Sequence, residues 1–455
     1  MAPDEIIAAL AQIVGSAHVL TGKDVSARFD GYPAVRPLLA TCIVRPADTE
    51  QIAATLRWCD GRGIKVVPHG GCTGLVGGGR AEPGNVVLSL ERMTRVDAVD
   101  VAGATITVEA GAPLQVVQEA AAEAGFLYPV DLGARGSATI GGTISTNAGG
   151  NSVLRYGMTR EQVLGLEVVL ADGTILSSLN RLIKNNAGFD LKHLFIGSEG
   201  TLGVVARAVL RLRPSAEQRA TAFVGVDRFD NVLALLRLVS ARTGGALTSF
   251  EVMWSDFVGI VAADRRHVVP VAGEHNYYVL IEAQSPWAAD MLEGTAADAW
   301  ALGLVGDATL AQNLSQADAF CAIRDDIDTL IAFLAPAFLY DISLPQAEMN
   351  DYVEAIRAKL TRRWPMSRLA VFGHIADGNL HLSITTGNAA DHLEVDALVY
   401  GHLANLGGSI SAEHGIGLEK RPYLPISRTA NEVAMMKLMK DTLDPRHTLN
   451  VGKVI

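Results

Sequence analysis

The chain has 455 residues, too many for one ordinary hydrophobic core, so two or three domains are expected. Its formal net charge is −11 and its lysines and arginines are scattered, which argues against a nucleic-acid partner. The 49% of hydrophobic residues fall in short runs, and the most apolar, Leu330 to Tyr340, is too short to span a bilayer and contains Pro336, so no transmembrane helix is expected.

Met1-Ala2-Pro3-Asp4-Glu5 has no basic region ahead of an apolar core, so no signal peptide is expected. Cys42, Cys59, Cys72 and Cys321 have no paired or metal-type spacing, which fits reduced thiols in a cytoplasm. Ile6, Ile7, Leu10, Ile13 and Val14 after Pro3-Asp4 predict a short amphipathic helix. Asp48-Thr49-Glu50 opens a second helix through Cys59, and the β-branched run Ile64-Lys65-Val66-Val67 predicts a strand.

That strand runs into the first of three glycine blocks, Pro68-His69-Gly70-Gly71-Cys72-Thr73-Gly74-Leu75-Val76-Gly77-Gly78-Gly79. So many positions without side chains present backbone N–H groups in a concave nest, suited to phosphate oxygens; a flexible loop is the bland alternative. No G-x-G-x-x-G and no G-x-x-x-x-G-K-[ST] occurs, which argues against a Rossmann or P-loop enzyme. The second block includes Pro129, Asp131, Leu132, Gly133, Gly136, Ser137, Gly141, Gly142, Thr146, Asn147, Gly149 and Gly150, a mixture that offers many hydrogen bonds to a large polar ligand. The third is Leu194-Phe195-Ile196-Gly197-Ser198-Glu199-Gly200-Thr201-Leu202-Gly203-Val204-Val205. Strands near Val86 to Leu90, Thr105 to Glu109, Leu164 to Leu170 and Thr174 to Leu176, with a helix near Pro113 to Ala124, complete an α+β domain that ends at Leu210 to Pro214.

Beyond it, helices near Val232 to Ala241 and Gln312 to Phe333 alternate with strands near Asn276 to Ala283, Leu369 to Phe372 and Leu380 to Ile384, a second α+β domain. A helix over Val433 to Leu443 precedes an extended tail. The second domain carries Gly373-His374-Ile375-Ala376-Asp377-Gly378-Asn379-Leu380-His381. Asp377-Gly378 predicts a two-residue type I′ turn that pairs Ala376 with Asn379, Ile375 with Leu380 and His374 with His381. The two imidazoles would then be cross-strand neighbours, with Cβ atoms about 4.5–5.5 Å apart. Glu413, in Ser411-Ala412-Glu413-His414-Gly415, offers a third, oxygen ligand, and His414 an adjacent base; Gly415 and Gly417 suggest a turn that brings both to one site. A hairpin with surface histidines and a helix-start acid is the bland alternative.

In this order and spacing the three blocks resemble the FAD-binding domain of the vanillyl-alcohol oxidase / p-cresol methylhydroxylase superfamily. The hairpin and Ser411 to Gly417 look like the branch that contains D-2-hydroxyglutarate dehydrogenase, D-lactate dehydrogenase and the flavin subunit of glycolate oxidase. The likeness runs from about Arg36 to Ile455. It implies an α+β chain: a two-subdomain FAD-binding domain of the p-cresol methylhydroxylase type over 1–215, an α+β substrate (cap) domain with the metal site over 216–420, and a segment over 421–455 that returns Asn450 to the FAD domain. The first block would hold the pyrophosphate, Pro129 to Gly150 would run along the flavin, and Glu199-Gly200 with Gly203-Val204 would serve the adenosine side. His69 is the only histidine in the blocks and is expected to be a supporting residue, with FAD bound non-covalently.

The reaction implied is oxidation of a D-2-hydroxy acid, with a divalent metal, zinc by its nitrogen and oxygen donors, on His374, His381 and Glu413. His414 would be the general base, Asn379 would bind substrate or orient a ligand, and Arg324 would clamp the carboxylate. An arginine paired with Asp326 or Asp328 on a helix surface is the alternative for Arg324. The chain departs from the 2-hydroxyglutarate enzymes at two positions. Leu339 stands where a lysine for a second carboxylate is expected, and Asp328 where a hydroxyl residue is, so a lactate-like or apolar side chain is favoured. The electron acceptor, whether electron-transfer flavoprotein, a quinone or a cytochrome, stays open, as does a homodimer. A glycolate oxidase flavin subunit and a non-redox flavin binder are the competing readings.

Overall fold

In the computed structural model, which describes every residue except 33–35, 216–217 and 264–265, the helix Thr49–Asp60 starts at Asp48, whose carboxylate accepts the Gln51 N–H at 2.8 Å. A cap of this kind contributes about 1 kcal/mol. Ile52, Ala53, Leu56 and Cys59 recur at helical spacing and are fully buried in a core shared with the strands Cys42–Val44, Val66–His69 and Val86–Ser89. These strands are parallel with Val86–Ser89 in the middle, and the two-residue strand Val19–Leu20 joins antiparallel at the Cys42 edge. Both faces of such a sheet are covered, which is why its strands read as unbroken apolar runs.

A second, antiparallel sheet follows in the order Thr105–Glu109, Val204–Arg211, Val163–Val169, Ile175–Ser178. Ile106, Val108, Val168 and Val204 from this sheet meet Leu114 and Val117 of the helix Leu114–Glu123 and the fully buried Tyr128 in the same core. This first compact unit comprises Met1–Gly150, Gly157–Ser215 and Glu413–Ile455. Its tail is fixed by the helix Ala430–Leu443, whose buried Lys440 donates from Nζ to Asp444 Oδ2 and to the carbonyls of Thr201 and Leu449. Leu449 then bridges beside Val66, and Asn450 N–H donates to Val66 O at 3.0 Å.

The second unit, Asn151–Tyr156 with Ala216–Ala412, is built on a seven-stranded antiparallel sheet. Its order is Asp307–Leu310, Arg219–Val226, Tyr277–Gln284, Leu247–Trp254, Arg368–His374, Asn379–Thr385, Phe338–Ser343. Three of these seven strands carry the signals expected from sequence. Leu247–Trp254 does not, because it is buried at every position and so lacks the alternation that marks a half-exposed strand. The expected helix over Gln312 to Phe333 is two helices, Leu314–Asp325 and Ile327–Phe333. The break falls at Asp326 (φ −80°, ψ 55°), whose side chain accepts the Thr329 N–H and caps the second helix.

The predicted hairpin register is also corrected. Ile375–Asp377 forms a 3₁₀ turn closed by Gly378 at φ +89°, and His381 pairs with Phe372 instead of His374. The loop is wider than a two-residue turn, so the register slips by two. An even slip keeps every side chain on its face, and the two histidines remain on one side of the sheet with ring centroids 5.4 Å apart.

Candidate active site

In the first unit the glycine blocks fall into two kinds. A Cβ on Gly71 would come 1.8 Å from Ser137 O, one on Gly70 2.4 Å from Thr139 Oγ1, and one on Gly79 2.2 Å from Asp30 O. Gly70 and Gly71 let the first block lie directly on the second, and Gly79 lets it lie on the backbone at Asp30. Gly74 and Gly133 have ordinary backbone angles, and a Cβ there would meet no protein atom within 4 Å; at Gly78 it would meet only Glu199 Oε2, at 3.9 Å. Neither φ nor packing demands glycine at Gly74 or Gly133, and bare backbone open for the close approach of a ligand fits a dinucleotide cradle.

His69 ends its strand, with Nε2 2.7 Å from Gly79 O and Nδ1 3.4 Å from Cys72 Sγ. Nε2–H donates to that carbonyl, and burial lowers the imidazole pKa to about 4, so the ring is neutral. Thr146 Oγ1 donates to Gly142 O, Asn147 Oδ1 accepts Arg160 N–H, and Asp131 bridges beside Gly150. Gly203 packs under Val168 and Phe195. Asn450 Nδ2 donates to Glu199 O at 2.7 Å, while its Oδ1 accepts from Lys453 Nζ, which also donates to Gly78 O at 2.8 Å. Burial, followed by Arg80, pushes the Lys453 amine down to about 7. Lys453 was not foreseen; a lone lysine in the run Val451-Gly452-Lys453-Val454 was its signal.

Glu413 and His414 also belong to this unit, in the irregular stretch that runs to Gly417. Gly415 at φ +86° and Gly417 at φ +51° turn the chain there, and Glu413 Oε1 accepts the Gly150 N–H at 2.9 Å.

In the second unit the cross-strand register places Glu282, Ser249, Glu251, His374, His381, Asn379 and Asp341 on one face of the sheet. Further along that face Phe223, Met253, Leu280 and Ala370 pack with Phe257, Phe320, Ile323 and Leu330 of the covering helices. His374 Nδ1 is 2.6 Å from Glu251 Oε2, and Ser249 Oγ donates to Glu251 Oε1 at 2.5 Å. Burial raises the Glu251 carboxyl, but His374, Arg324 and Ser249 together outweigh it and hold it at about 2. Phe372 stacks on His381 at 4.7 Å, and Asp341, fully buried, faces His381 across the strand pair. Neither Glu251 nor Asp341 was foreseen. Glu251 could have been, as a lone acid inside the apolar run Phe250 to Trp254.

Asn379 is 3% exposed, and neither its Oδ1 nor its Nδ2 has a hydrogen-bond partner. A wholly unsatisfied buried amide is rare unless a ligand completes it. Arg324 is buried at the end of its helix, not on a surface. Its Nε and Nη2 donate to Asp325 at 2.7 and 3.1 Å, while Nη1 lies 3.6 Å from Glu282 Oε2 and makes no hydrogen bond. Leu339 lies opposite Ser383 on the same face as Asp341, and Asp328 is exposed on the helix Ile327–Phe333.

Residues 40–178 match the FAD binding domain family, and residues 215–454 match the C-terminal domain of FAD linked oxidases. The chain is 38% identical over 425 residues to D-2-hydroxyglutarate dehydrogenase of Xanthomonas citri pv. viticola, covering 90% of this chain and 88% of that protein. It is 36% identical to a putative mitochondrial D-lactate dehydrogenase of Schizosaccharomyces pombe, over 88% of this chain and 79% of the relative. Among solved structures it superposes on substrate-bound p-cresol methylhydroxylase with a TM-score of 0.79 at 13% identity, over 99% of this chain and 96% of that one, a likeness of fold.

Proposed function

Because this chain belongs to the FAD-linked oxidases, within their D-2-hydroxy acid dehydrogenase branch, we propose that it oxidises a D-2-hydroxy acid with a lactate-like or apolar side chain to the 2-oxo acid. The observation that carries this reading is the unsatisfied amide of Asn379 on the sheet face that bears His374 and His381. Its Nδ2–H can donate to a carboxylate oxygen of a 2-hydroxy acid, which leaves the single hydroxyl proton on the adjacent carbon for a base.

FAD, bound non-covalently, supplies the hydride acceptor, and a divalent cation, zinc by the chemistry of its donors, supplies a Lewis acid that lowers the hydroxyl pKa. His374, His381 and Glu413 are the residues that would hold the cation. Glu251 stands at Nδ1 of His374 and leaves Nε2 as the donor, the usual arrangement of a carboxylate behind a ligating histidine. His414 removes the hydroxyl proton, a step worth a factor of roughly 10²–10⁴. Arg324 attracts the substrate carboxylate, although Asp325, Glu282 and Glu251 already balance its charge. A second, distal carboxylate therefore finds no spare cation in that cluster, and Leu339 adds none. Electrons leave to a flavoprotein, quinone or cytochrome acceptor. No helix of the described residues is long and apolar enough to cross a membrane, and a cytoplasmic site of action is part of this reading.

The test is anaerobic bleaching of the bound flavin by a panel of D- and L-2-hydroxy acids, with and without chelator. D-lactate or D-2-hydroxyisocaproate should bleach it, their L-forms should not, and chelator should stop the reaction. Faster bleaching by D-2-hydroxyglutarate would overturn the side-chain assignment, and no bleaching by any acid would overturn the function.

A further inference from the structure

Glu199 belongs to the third glycine block, where the resemblance expects contacts to the adenosine side of FAD. Its side chain is engaged by backbone amides of the terminal part of the chain. Oε1 accepts the backbone N–H of Ile416 at 2.7 Å and Oε2 that of Gly417 at 2.9 Å, the two amides that follow the stretch Glu413-His414-Gly415. Gly415 packs on the same carboxylate: a Cβ there would lie 2.8 Å from Oε1, and its φ of +86° also favours glycine. We infer that Glu199 is a positioning residue, a half-buried carboxylate strut that fixes the turn carrying the candidate base His414 and the candidate ligand Glu413.

The strut is itself anchored in the first unit. Glu199 has φ +51°, a conformation that L side chains rarely adopt, and it is held there by its own N–H on Ser145 O at 2.8 Å and by Asn450 Nδ2 on its carbonyl at 2.7 Å. Asn450 is tied in turn through Lys453 Nζ to Gly78 O of the first block. On the far side of the turn, Leu418 N–H donates to Val76 O and Val454 N–H to Gly417 O. The first and third glycine blocks, the terminal segment and the base-bearing turn thus form one hydrogen-bonded assembly with the Glu199 carboxylate at its centre. A carboxylate suits the position because both its oxygens accept. A glutamine offers one acceptor, and its NH₂ would face the second N–H.

The inference rests on the proposed role of His414, and the experiment separates the two. FAD-loaded wild type, Glu199→Gln and His414→Ala are compared by the rate of anaerobic flavin bleaching with a saturating D-2-hydroxy acid, by KM, and by the dissociation constant for FAD. The expected result for Glu199→Gln is at least a 30-fold loss in bleaching rate, with KM and FAD affinity each changed less than threefold. Glu199→Asp keeps the charge but falls short of one amide, and should lose less rate than the glutamine. Should the glutamine variant not accumulate as folded protein, the aspartate variant carries the same comparison. A slow His414→Ala with Glu199→Gln at the wild-type rate overturns the strut alone. A His414→Ala that bleaches at the wild-type rate overturns the base, and with it the strut's purpose. A loss of FAD affinity that matches the loss of rate makes Glu199 a cofactor contact and overturns the inference.

Discussion

Replacing Asn379 by leucine should make the protein more stable and less active at once. The asparagine amide is buried to 3% with neither polar atom satisfied, and each such atom costs about 1–3 kcal/mol. Leucine has the same branched outline without the polar atoms, at a cost of about 1–3 kcal/mol for fitting two larger methyl groups. From the middle of these ranges, with two such atoms, the net gain expected is about 2 kcal/mol, or a rise of roughly 4–8 °C in the melting temperature of the unit. Catalysis should move the other way. A hydrogen bond to a charged substrate group is worth about 1.5–3 kcal/mol, so kcat/KM with the best 2-hydroxy acid should fall roughly 10–150-fold. Thermal unfolding of the ligand-free protein, followed beside steady-state kinetics, reads both. If the leucine variant unfolds at a lower temperature, the amide is satisfied in solution and its assignment as a substrate contact loses its physical basis.

The same geometry yields other expectations. Glu251→Gln removes the charge behind His374 and should weaken binding of the proposed divalent cation about 10–100-fold, read by competition with a chromogenic chelator; unchanged affinity would remove Glu251 from the support of that site. His69 is neutral in the fold, with its pKa depressed to about 4 from 6.5, so the unfolded chain binds more protons between those values. Its contribution, about 3 kcal/mol, is complete above pH 6.5 and is lost as pH falls toward 4. The melting temperature of His69→Gln should therefore depend less steeply on pH in that window, and parallel curves would refute the buried neutral histidine. Leu339→Lys supplies the missing cation and should raise the preference for D-2-hydroxyglutarate over D-lactate at least tenfold; an unchanged ratio would show that this face does not contact the substrate's tail.

Local rules sufficed for much of the chain. Asp48 before an apolar period of Ile52, Leu56 and Cys59 specifies a capped helix through i, i+3 and i+4 neighbours, and Val66 and Val86 mark strands buried on both faces. The glycine blocks were visible because glycine density is a property of the chain itself, and so was the placing of the two histidines on one face, since side chains alternate along a strand and the register slip is even. Tertiary structure decided what depends on partners distant in sequence. The placing of Glu251 against His374 from a strand more than a hundred residues earlier and the turn of Glu199 onto Ile416 and Gly417 are set by which polar groups meet in the fold, whereas the loop at Gly378 and the Asp326 cap on Thr329 are local arrangements that periodicity does not mark. Composition and periodicity report which residues are buried. They do not report which buried polar atoms find each other, and that matching sets Glu199 on Ile416 and Gly417 and Glu251 on His374, and leaves the Asn379 amide unmatched.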